Sequence, residues 1–548
     1  MAVVATAADR RRGARPSPPT APATGGGPQT SPEVEVTLDV PEGWVVPDLV
    51  GPLRAAGVTA VAGPVEVALD ARYLDTADLR LLRSRTTLRR RSGGEDAGWH
   101  LKLPATAGDP TDRVEVRMPL TGATAAPPPE LTSLVRARVR SAPLVTVARL
   151  RTHRVVHRLL GPAGPSGEPV VLAELADDTV TAEAPGRRPT DPVEVTDWRE
   201  LEVELVEGDR ALLEAAVQAL TGAGARRSAH PSKLRRVLGD RLPAPPAPRA
   251  APTAKSPAGA VLAQRLAAEV DRLVAADLPV RRDEPDAVHQ MRVATRRLRS
   301  VMATWRPLLQ RAATDPLRAE LGWLAGELGR ERDAEVLRDH VLGLVRASPA
   351  DLLVGPVAER LGEQLDAGVR AGHEAVLAAL ASSRYLDLLE ALEALAAAPP
   401  LAPAASARVR EALLPRVAHD HRRVADAAEA ADGARTPAQR EELLHETRKA
   451  AKRARYAAEE LADLVGPDAR AYATAMAEVQ GALGELQDST LTRELLRRAG
   501  AAAHRAGEDA FSYGRLHALE EARAAGAEEA FERAWDRADR KRLRRWLR

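Results

Sequence analysis

Between residues 31 and 240, hydrophobic and polar positions alternate with a period of two, and glycine and proline interrupt the runs. This period is typical of β-strands, in which successive side chains leave opposite faces. The strand-like runs are EVEVTLDV, VEVALDARYLDT, TTLRRRS, GWHLKLP, DRVEVRMPL, TVARLRTHRVVHRL, VVLAELADDTVTA and WRELEVELV. Eight runs in about 210 residues predict a closed or nearly closed antiparallel β-barrel of eight strands. The segments PDLVGPLRAAG and DRALLEAAVQALTGAG predict two short helices beside it.

A different pattern follows a stretch rich in proline and alanine at residues 241–258, which we interpret as an extended linker. From residue 259 to about 540, apolar positions recur with the 3.6-residue period of amphipathic helices. The segment AAAPPLAPAAS divides this half into 259–398 and 405–540. The chain is therefore predicted to be a multidomain α+β protein, with a barrel followed by an all-α half.

Composition narrows the classes of protein that fit. The 548 residues leave room for two to four domains, and 79 basic residues against 77 acidic ones indicate no particular partner. The absence of cysteine excludes disulfides, thiolate catalysis and cysteine-bound zinc. There is no run of about 18 apolar residues, so no transmembrane helix is expected. Residues 1–30 have the composition of a disordered tail rather than a secretory signal, and we expect a cytoplasmic protein.

The helical half contains an internal duplication. HQMRVATRRLRS begins at His289, and HETRKAAKRARY begins at His445. Basic residues recur at offsets three, seven, eight and ten from each histidine: Arg292, Arg296, Arg297 and Arg299, then Arg448, Lys452, Arg453 and Arg455. Downstream, LGRERD ends at Asp333 and LGELQD ends at Asp488, so the two histidine-to-aspartate spacings differ by one residue. A duplication with a period of about 156 residues explains this agreement.

Offsets zero, three, seven and ten fall within about 80° of arc on an α-helix. Each motif therefore forms a basic stripe of one histidine and three cations, about 15 Å long. Like charges at these spacings weaken a helix by a few tenths of a kcal/mol each. Two stripes in the same register indicate an anionic ligand; the alternative is that carboxylates of neighbouring helices neutralise them.

These motifs resemble the two halves of a CHAD domain, over about residues 258–540. The matching segments are VHQMRVATRRLRS with ELGRERDAEVLRDHV, and LHETRKAAKRARYAAEEL with LGELQDSTLTRELL. The resemblance implies two four-helix bundles that bind inorganic polyphosphate. The implied contacts are His289, Arg292, Arg296, Arg297, Arg299, His445, Arg448, Lys449, Lys452, Arg453 and Arg455, with Arg330, Arg332, Asp333 and Asp488 contributing or holding them in place.

The chemistry of the stripes agrees with this expectation. Guanidinium groups make forked, charge-assisted hydrogen bonds to phosphate oxygens. Single-stranded nucleic acid would favour aromatic stacking platforms, whereas the only aromatic residues near the stripes are Tyr456 and Trp305. Nucleic acid is therefore not an expected partner.

Carboxylates and cations alternate along the predicted strands. Glu33 and Glu35 are two positions apart, as are Glu200, Glu202 and Glu204, so each set shares one strand face. Other strands add Arg89, Arg91, Lys102, Arg113, Glu115, Arg117, Arg149, Arg151, Glu174, Asp177 and Asp178, with Arg154 on the opposite parity, and Lys233 follows. Either these residues all face water, or the barrel encloses a charged, wet tunnel. In a tunnel, the carboxylates would bind Mg²⁺ or Mn²⁺ and the cations would bind phosphate oxygens.

Residues 31–240 resemble the CYTH domain, the family of triphosphate tunnel metalloenzymes. The supporting segments are EVEV, YLDTADLRLLRSRTTLRRR, WHLKLP, DRVEVRMPL, LAELADD and WRELEVEL. The resemblance implies metal ligands at Glu33, Glu35, Glu200, Glu202 and Glu204, and triphosphate contacts at Arg89, Arg91, Lys102, Arg113, Arg149, Arg151 and Lys233. It also implies catalytic assistance from Glu115 and Glu174.

One position departs from the E-x-E-x-K motif of that family, because Thr37 stands where the motif has lysine. Three functions are compatible with the sequence. The first is metal-dependent hydrolysis of inorganic triphosphate or short polyphosphate, with the helical half capturing long chains or targeting the enzyme to polyphosphate granules. The second is a non-catalytic polyphosphate-binding protein with a degenerate tunnel, and the third is a hydrolase or cyclase of an organic triphosphate.

Overall fold

A computed structural model describes residues 27–105, 112–120, 126–188, 190–243, 252–253 and 255–547. The chain divides into two compact units, Met1–Pro246 and Ala247–Arg548. Residues 1–26 of the predicted tail, and residues 244–251 and 254 of the predicted linker, lie outside the described residues. Within the described ranges, every helix is too short or too polar to cross a lipid bilayer.

The first unit is built on one curled antiparallel sheet. Its strands are β1 (Gln29–Glu33), β2 (Glu35–Asp39), β3 (Ala60–Asp75), β4 (Thr87–Ser92), β5 (Gly98–Pro104), β6 (Arg113–Pro119), β7 (Val145–Ala163), β8 (Pro169–Ala184), β9 (Glu194–Leu205) and β10 (Arg226–Arg227), in the spatial order β1-β6-β5-β4-β3-β7-β8-β9-β2-β10. The strand β1 lies at one edge and β2 lies next to the other, yet only Val34 separates them in the chain. The chain therefore runs from one edge of the sheet to the other, which requires the sheet to curl.

The number of strands differs from the predicted eight. The described residues form ten strands because Val34 interrupts the first predicted run and the two-residue β10 adds a pair with β2. The antiparallel pairing is as predicted along the whole sheet.

Short helices pack on both faces of this sheet. They are α1 (Val50–Leu53), α2 (Arg80–Arg83), α3 (Pro129–Val139), α4 (Arg210–Gly222) and α5 (Lys233–Leu238). The N-cap Asp209 of α4 accepts a hydrogen bond from the Leu212 amide, which satisfies one free donor of the first turn. The apolar side of α4 packs against Leu201 and Val203 of β9. Because side chains alternate along a strand, the glutamates of β9 at positions 200, 202 and 204 must face the inside.

The second unit is helical. Its helices are α6 (Ala258–Arg281), α7 (Ala287–Thr304), α8 (Arg311–Ala347), α9 (Val357–Ala381), α10 (Ser383–Ala397), α11 (Val409–Asp432), α12 (Pro437–Val465), α13 (Pro467–Arg505) and α14 (Phe511–Ala538). The break near residue 400 leaves five helices in the first repeat and four in the second, whereas four were expected in each. The helix α7 packs against α6 and α8, and α12 packs against α11 and α13. The two stripe-bearing helices α7 and α12 also contact each other.

Candidate functional site

The inner face of the sheet carries two groups of carboxylates, each spaced so that one ion could contact all its members. In the first acid triad, oxygens of Glu33, Glu35 and Glu204 lie within 4.8 Å of one another. In the second acid triad, oxygens of Asp178, Glu200 and Glu202 do the same.

Strand register brings these residues together. In the pairing of β2 with β9, Glu35 lies opposite Glu204 and Thr37 lies opposite Glu202. In the pairing of β8 with β9, Asp178 lies opposite Glu200. The glutamate-rich segments that are about 165 residues apart in sequence are therefore neighbours on one face.

Lys102 of β5 joins the first acid triad. Its ammonium group contacts the Glu33 carboxylate and lies 3.7 Å from Glu35 Oε2. Burial and the charge of Glu35 raise the pKa of Glu33 to about 7 despite the nearby Lys102, and burial raises the pKa of Glu204. Glu33 Oε2 is buried and has no hydrogen-bond partner among the described residues. The first acid triad thus contains more negative charge than Lys102 alone balances.

The second acid triad is held by two cations. Lys233 Nζ, from α5, lies 2.9 Å from Asp178 Oδ2 and 2.9 Å from Glu200 Oε1, and it also contacts Glu202. Arg154 of β7 donates to Asp178 at 2.7 Å and to Glu202 at 2.6 Å. Although burial opposes ionisation, these two cations hold the pKa of Glu202 well below its usual range.

Glu115 is buried among cations on β4 to β6. It accepts from His100 Nδ1 at 3.0 Å, contacts Arg117 Nε, and lies 3.9 Å from Arg89 Nη2. Burial works against ionisation of Glu115, but His100, Lys102 and Arg89 lower its pKa far below the usual value. An ionised, fully partnered carboxylate is a weak proton acceptor, so this geometry favours a positioning role for Glu115 over the predicted catalytic one.

The other interior residues follow the prediction in part. Arg89 and Arg91 lie on the same inner face as Lys102, and Arg113 donates to the Pro231 carbonyl at 2.8 Å. Glu174 is half-buried and is bound by Arg158 at 3.0 Å. Its predicted catalytic role is not supported by any further contact among the described residues.

The prediction for Arg149 and Arg151 is wrong. Arg149 donates to Asp70 at 3.0 Å and Arg151 lies 2.9 Å from Glu183, on the outer face of the sheet. Between them, Leu150 is buried in the interior apolar cluster. The arginine of β7 that faces inward is therefore Arg154, which has the opposite parity. The apolar Leu150, between the two arginines, is the sequence feature that could have identified the inner face.

Two further interior residues had no role assigned to them from the sequence, although Asp178 was among the charged strand positions. Asp178 completes the second acid triad, and its neighbour Asp177 faces outward to Arg199. His100 is buried against Glu115, and burial lowers its pKa to about 4. Both share strand parity with predicted residues, Glu174 and Lys102, which is a signal that could have found them.

In the second unit, the two basic stripes converge. The cation cluster consists of Arg292, Arg296 and Arg299 from α7 with Arg448 and Lys452 from α12. Burial, followed by the charges of the four arginines, lowers the pKa of Lys452 to about 7. Arg296 also donates to Tyr456 on α12, at 2.8 Å.

Glycines of the following helices make room for these arginines. A Cβ atom at Gly484 of α13 would lie 3.5 Å from Arg448 Nε, and one at Gly329 of α8 would lie 4.0 Å from Arg292 Nε. These glycines occupy equivalent places in the two repeats, directly after the leucines of LGRERD and LGELQD. The duplication therefore includes the glycine that packs against the equivalent arginine in each repeat.

Carboxylates neutralise some stripe residues but not the core of the cation cluster. Ion pairs join Arg292 to Asp333 at 3.2 Å, Arg455 to Glu459 at 2.8 Å, and Lys449 to Glu446. In the described part of the chain, no carboxylate lies within 4 Å of the charged nitrogens of Arg296, Arg299, Arg448 or Lys452. Neutralisation by neighbouring carboxylates, the alternative to an anionic ligand, therefore does not account for these four residues.

The remaining predicted contacts lie around this cluster. Arg297 lies 4.0 Å from the buried Glu269 of α6, and Arg453 interacts with the buried Asp420 of α11. His289 has a buried Nδ1 without a hydrogen-bond partner among the described residues, and burial lowers its pKa. His445 lines a cavity of about 420 Å³ between α12 and α13. Arg330 and Arg332 pair with glutamates of their own helix, at 2.7 and 2.9 Å.

Comparison with known proteins assigns both units. The CYTH domain family matches residues 53–238, and the CHAD domain family matches residues 264–497. An uncharacterised protein of Mycobacterium tuberculosis is 39% identical to this chain over 527 residues. The match covers 93% of this chain and 96% of the relative. The chain belongs to the CYTH–CHAD proteins.

Two solved structures resemble part of this CYTH–CHAD protein. PptA from Streptomyces chartreusis is 26% identical, with a TM-score of 0.44 over 51% of this chain and 100% of that one. The CHAD domain from the plant Ricinus communis is 25% identical, with a TM-score of 0.42 over 53% of this chain and 95% of that one.

The family assignment gives the first unit its general chemistry. CYTH domains are metal-dependent tunnel enzymes that act on triphosphates, so the inner face of the CYTH unit is a site of the triphosphate-tunnel type. The two acid triads are groups that could hold metal ions in such a site.

Proposed function

We propose that the CYTH unit hydrolyses inorganic triphosphate or short polyphosphate with Mg²⁺ or Mn²⁺, and that the CHAD unit binds polyphosphate. The observation that carries the proposal is the inner face, on which two acid triads meet the half-buried Lys102 and Arg154 and the buried Lys233. An apolar or nucleoside ligand would not offset so many buried charges, whereas a phosphate chain with divalent ions carries both signs of charge.

The first acid triad fits a divalent ion of the hard, oxygen-preferring type. It supplies three carboxylates, and the unpartnered Glu33 Oε2 is a donor atom free for a metal. The raised pKa of Glu33 reflects a site in which added positive charge is favourable. When bound there, the ion would supply charge stabilisation at phosphate oxygens and a more acidic bound water.

The cations of the inner face have the complementary task. In this proposal, Arg89, Arg91 and Arg113 bind phosphate oxygens with forked hydrogen bonds. Glu115 holds Arg89 and Arg117 in position, so that less conformational entropy is lost when phosphate binds. Positioning and charge stabilisation supply most of the catalysis in phosphoryl transfer.

The cation cluster supports polyphosphate binding by the CHAD unit. It joins five basic residues of α7 and α12, four of which lack a carboxylate partner within 4 Å among the described residues. A chain of phosphates offers a charge every few ångströms and no base to read, which suits a cluster without stacking platforms. Binding of this kind would also attach the protein to polyphosphate granules.

Thr37 favours a second candidate, a polyphosphate-binding protein with an inactive tunnel. The hydroxyl brings no positive charge to a position where the family motif has lysine. The aromatic residues Tyr73 and Trp198 of the interior apolar cluster are buried, with Tyr73 accepting from Arg89 and Trp198 donating to Glu200. An organic triphosphate, whose base would need a free aromatic surface, therefore has less support than inorganic triphosphate.

Release of phosphate or pyrophosphate from tripolyphosphate, ATP and thiamine triphosphate distinguishes these functions, because cyclisation of ATP would release pyrophosphate. Each would be offered to the purified protein with Mg²⁺, with Mn²⁺ and with a chelator. The proposal expects metal-dependent release that is fastest from tripolyphosphate. Faster release from an organic triphosphate would favour that substrate class, and no release from any of them would leave the inactive-tunnel candidate.

A further inference from the structure

Lys452 has an environment unlike that of the other buried lysines. Lys102 and Lys233 contact carboxylates, which raise their pKa values even though burial opposes it. Lys452 is packed instead among arginines, with Arg296 and Arg448 contributing most of the repulsion after burial itself. Its pKa is lowered to about 7.

The helices around Lys452 supply no carboxylate within 4 Å of its amine among the described residues. The helix α7 contacts α12, and Arg296 of α7 donates at 2.8 Å to Tyr456, which lies one turn after Lys452. Arg292, Arg296 and Arg299 of α7 oppose the positive charge of Lys452, as does Arg448, one turn before it on α12. The nearest acids act on other residues: Asp333 of α8 pairs with Arg292 at 3.2 Å, Asp488 of α13 interacts with Arg448, and Asp420 of α11 interacts with Arg453. Lys452 therefore lies where the contacting helices α7 and α12 bring cations together, and no carboxylate lies within 4 Å of its amine among the described residues.

We propose that Lys452 takes up one proton from solvent when a phosphate chain binds to the cation cluster. The free cluster then carries four positive charges, and Lys452 adds the fifth only when the phosphate chain is bound. The proton ends on the amine nitrogen, and no bond of the phosphate chain is broken. This inference rests on the proposed binding of polyphosphate to the CHAD unit.

The physical reason is the balance between repulsion and attraction at one nitrogen. In the empty cluster, four guanidinium groups and partial burial oppose the ammonium form. Phosphate oxygens placed among the same groups favour that form, so the bound state holds the proton more tightly than the free state. By linkage, affinity must fall as the pH rises from about 7 toward the pKa of the occupied state, by at most tenfold per pH unit.

Calorimetric titration with long-chain polyphosphate at pH 8.5 tests the inference. The heat of binding is measured in several buffers with different ionisation enthalpies, and the slope of one against the other gives the number of protons taken up. At this pH the internal phosphates stay ionised and His289, whose pKa is lowered, stays neutral in the free protein. We expect close to one proton per bound site.

Two matched variants test whether Lys452 is the group that takes up the proton. Lys452→Arg replaces the titrating amine by a cation that cannot lose its proton, so the slope per mole of bound ligand should fall to near zero whatever the affinity of the variant. Lys541→Arg, outside the cluster, should keep the slope near one. Binding without proton uptake by the unaltered protein, or undiminished uptake by Lys452→Arg, would overturn this inference alone. Absence of binding heat and of retention on immobilised polyphosphate would overturn the proposed function together with it.

A direct measurement keeps the test independent of the variants. The chain has six lysines, so ¹³C-methylated lysine side chains give few NMR signals to follow. We expect one lysine signal to titrate near pH 7 in the free protein and to move to higher pH when polyphosphate is added. A spectrum in which all lysines titrate above pH 9 without ligand would contradict the inference.

Discussion

Thr37 is the residue that bears most directly on whether the CYTH unit hydrolyses triphosphate, because the family motif has lysine at this position. Thr37 lies on β2 opposite Glu202, and Glu202 is contacted by Lys233 of α5 and Arg154 of β7. Positive charge therefore reaches this part of the inner face from two other elements. With threonine in place of the motif lysine, the second acid triad is still paired with Lys233 and Arg154, but phosphate has one cation fewer to bind.

Thr37→Lys tests whether that missing cation limits the enzyme. We expect hydrolysis of tripolyphosphate or its binding to improve roughly ten- to a hundred-fold, because one charge-assisted contact is worth about 1.5–3 kcal/mol. Thr37→Met, of similar length without charge, should bring no gain. Initial rates over a range of substrate concentrations measure the effect, and an equal gain from both variants would show that side-chain size rather than charge is responsible.

Residues on strands show what sequence parity can and cannot predict. The five glutamates at 33, 35, 200, 202 and 204 were found from alternation alone, and all belong to the acid triads. Arg149 and Arg151 were placed on the wrong face because β7 carries arginines on both parities. Alternation along a strand shows which residues share a face, but one residue of known burial is needed to decide which face is the inner one. On β7 that residue is the buried Leu150.

At the scale of helices, spacing predicted the two basic stripes but not their meeting. Helical periodicity shows which residues share a face of one helix. It contains no information on which helices become neighbours, so the contact between α7 and α12 came only from the structure. The same contact makes one cluster from two stripes and turns the offset-eight arginines, Arg297 and Arg453, toward buried acids of α6 and α11.

Gly484→Leu should disturb the cluster through α13. A Cβ at this position is already in contact distance of the Arg448 guanidinium, so the longer side chain must displace it. Gly481→Leu on the same helix is the matched control, because nothing lies within 4 Å of a Cβ there. We expect weaker retention on immobilised polyphosphate for Gly484→Leu alone, with both variants equally helical by circular dichroism. Equal retention would mean that Arg448 does not contact the chain.

Arg296→Ala combined with Lys452→Ala removes the centre of the cluster. Loss of charge-assisted contacts should weaken retention on polyphosphate at moderate salt roughly tenfold or more. The control is Arg497→Ala with Arg498→Ala, which removes two exposed arginines paired with Glu494 on α13. If both double variants are retained to the same salt concentration as the unaltered protein, the cluster is not the docking surface.

For the whole molecule, the two units carry different kinds of site. The CYTH unit combines carboxylates with cations, which suits phosphate together with divalent metal. The CHAD unit offers a cluster of nearly uncompensated cations, which suits a phosphate chain without metal. The two activities should therefore be separable by substitution in one unit.

The most direct test of this account is the double variant Glu33→Ala with Glu35→Ala, assayed for both activities. Loss of two members of the first acid triad should abolish metal-dependent phosphate release from tripolyphosphate and leave retention on polyphosphate unchanged. Glu66→Ala with Glu183→Ala, which removes glutamates paired with His153 and Arg151 on the outer face, should retain both activities. Hydrolysis that survives in the first double variant at the rate of the second would contradict the account.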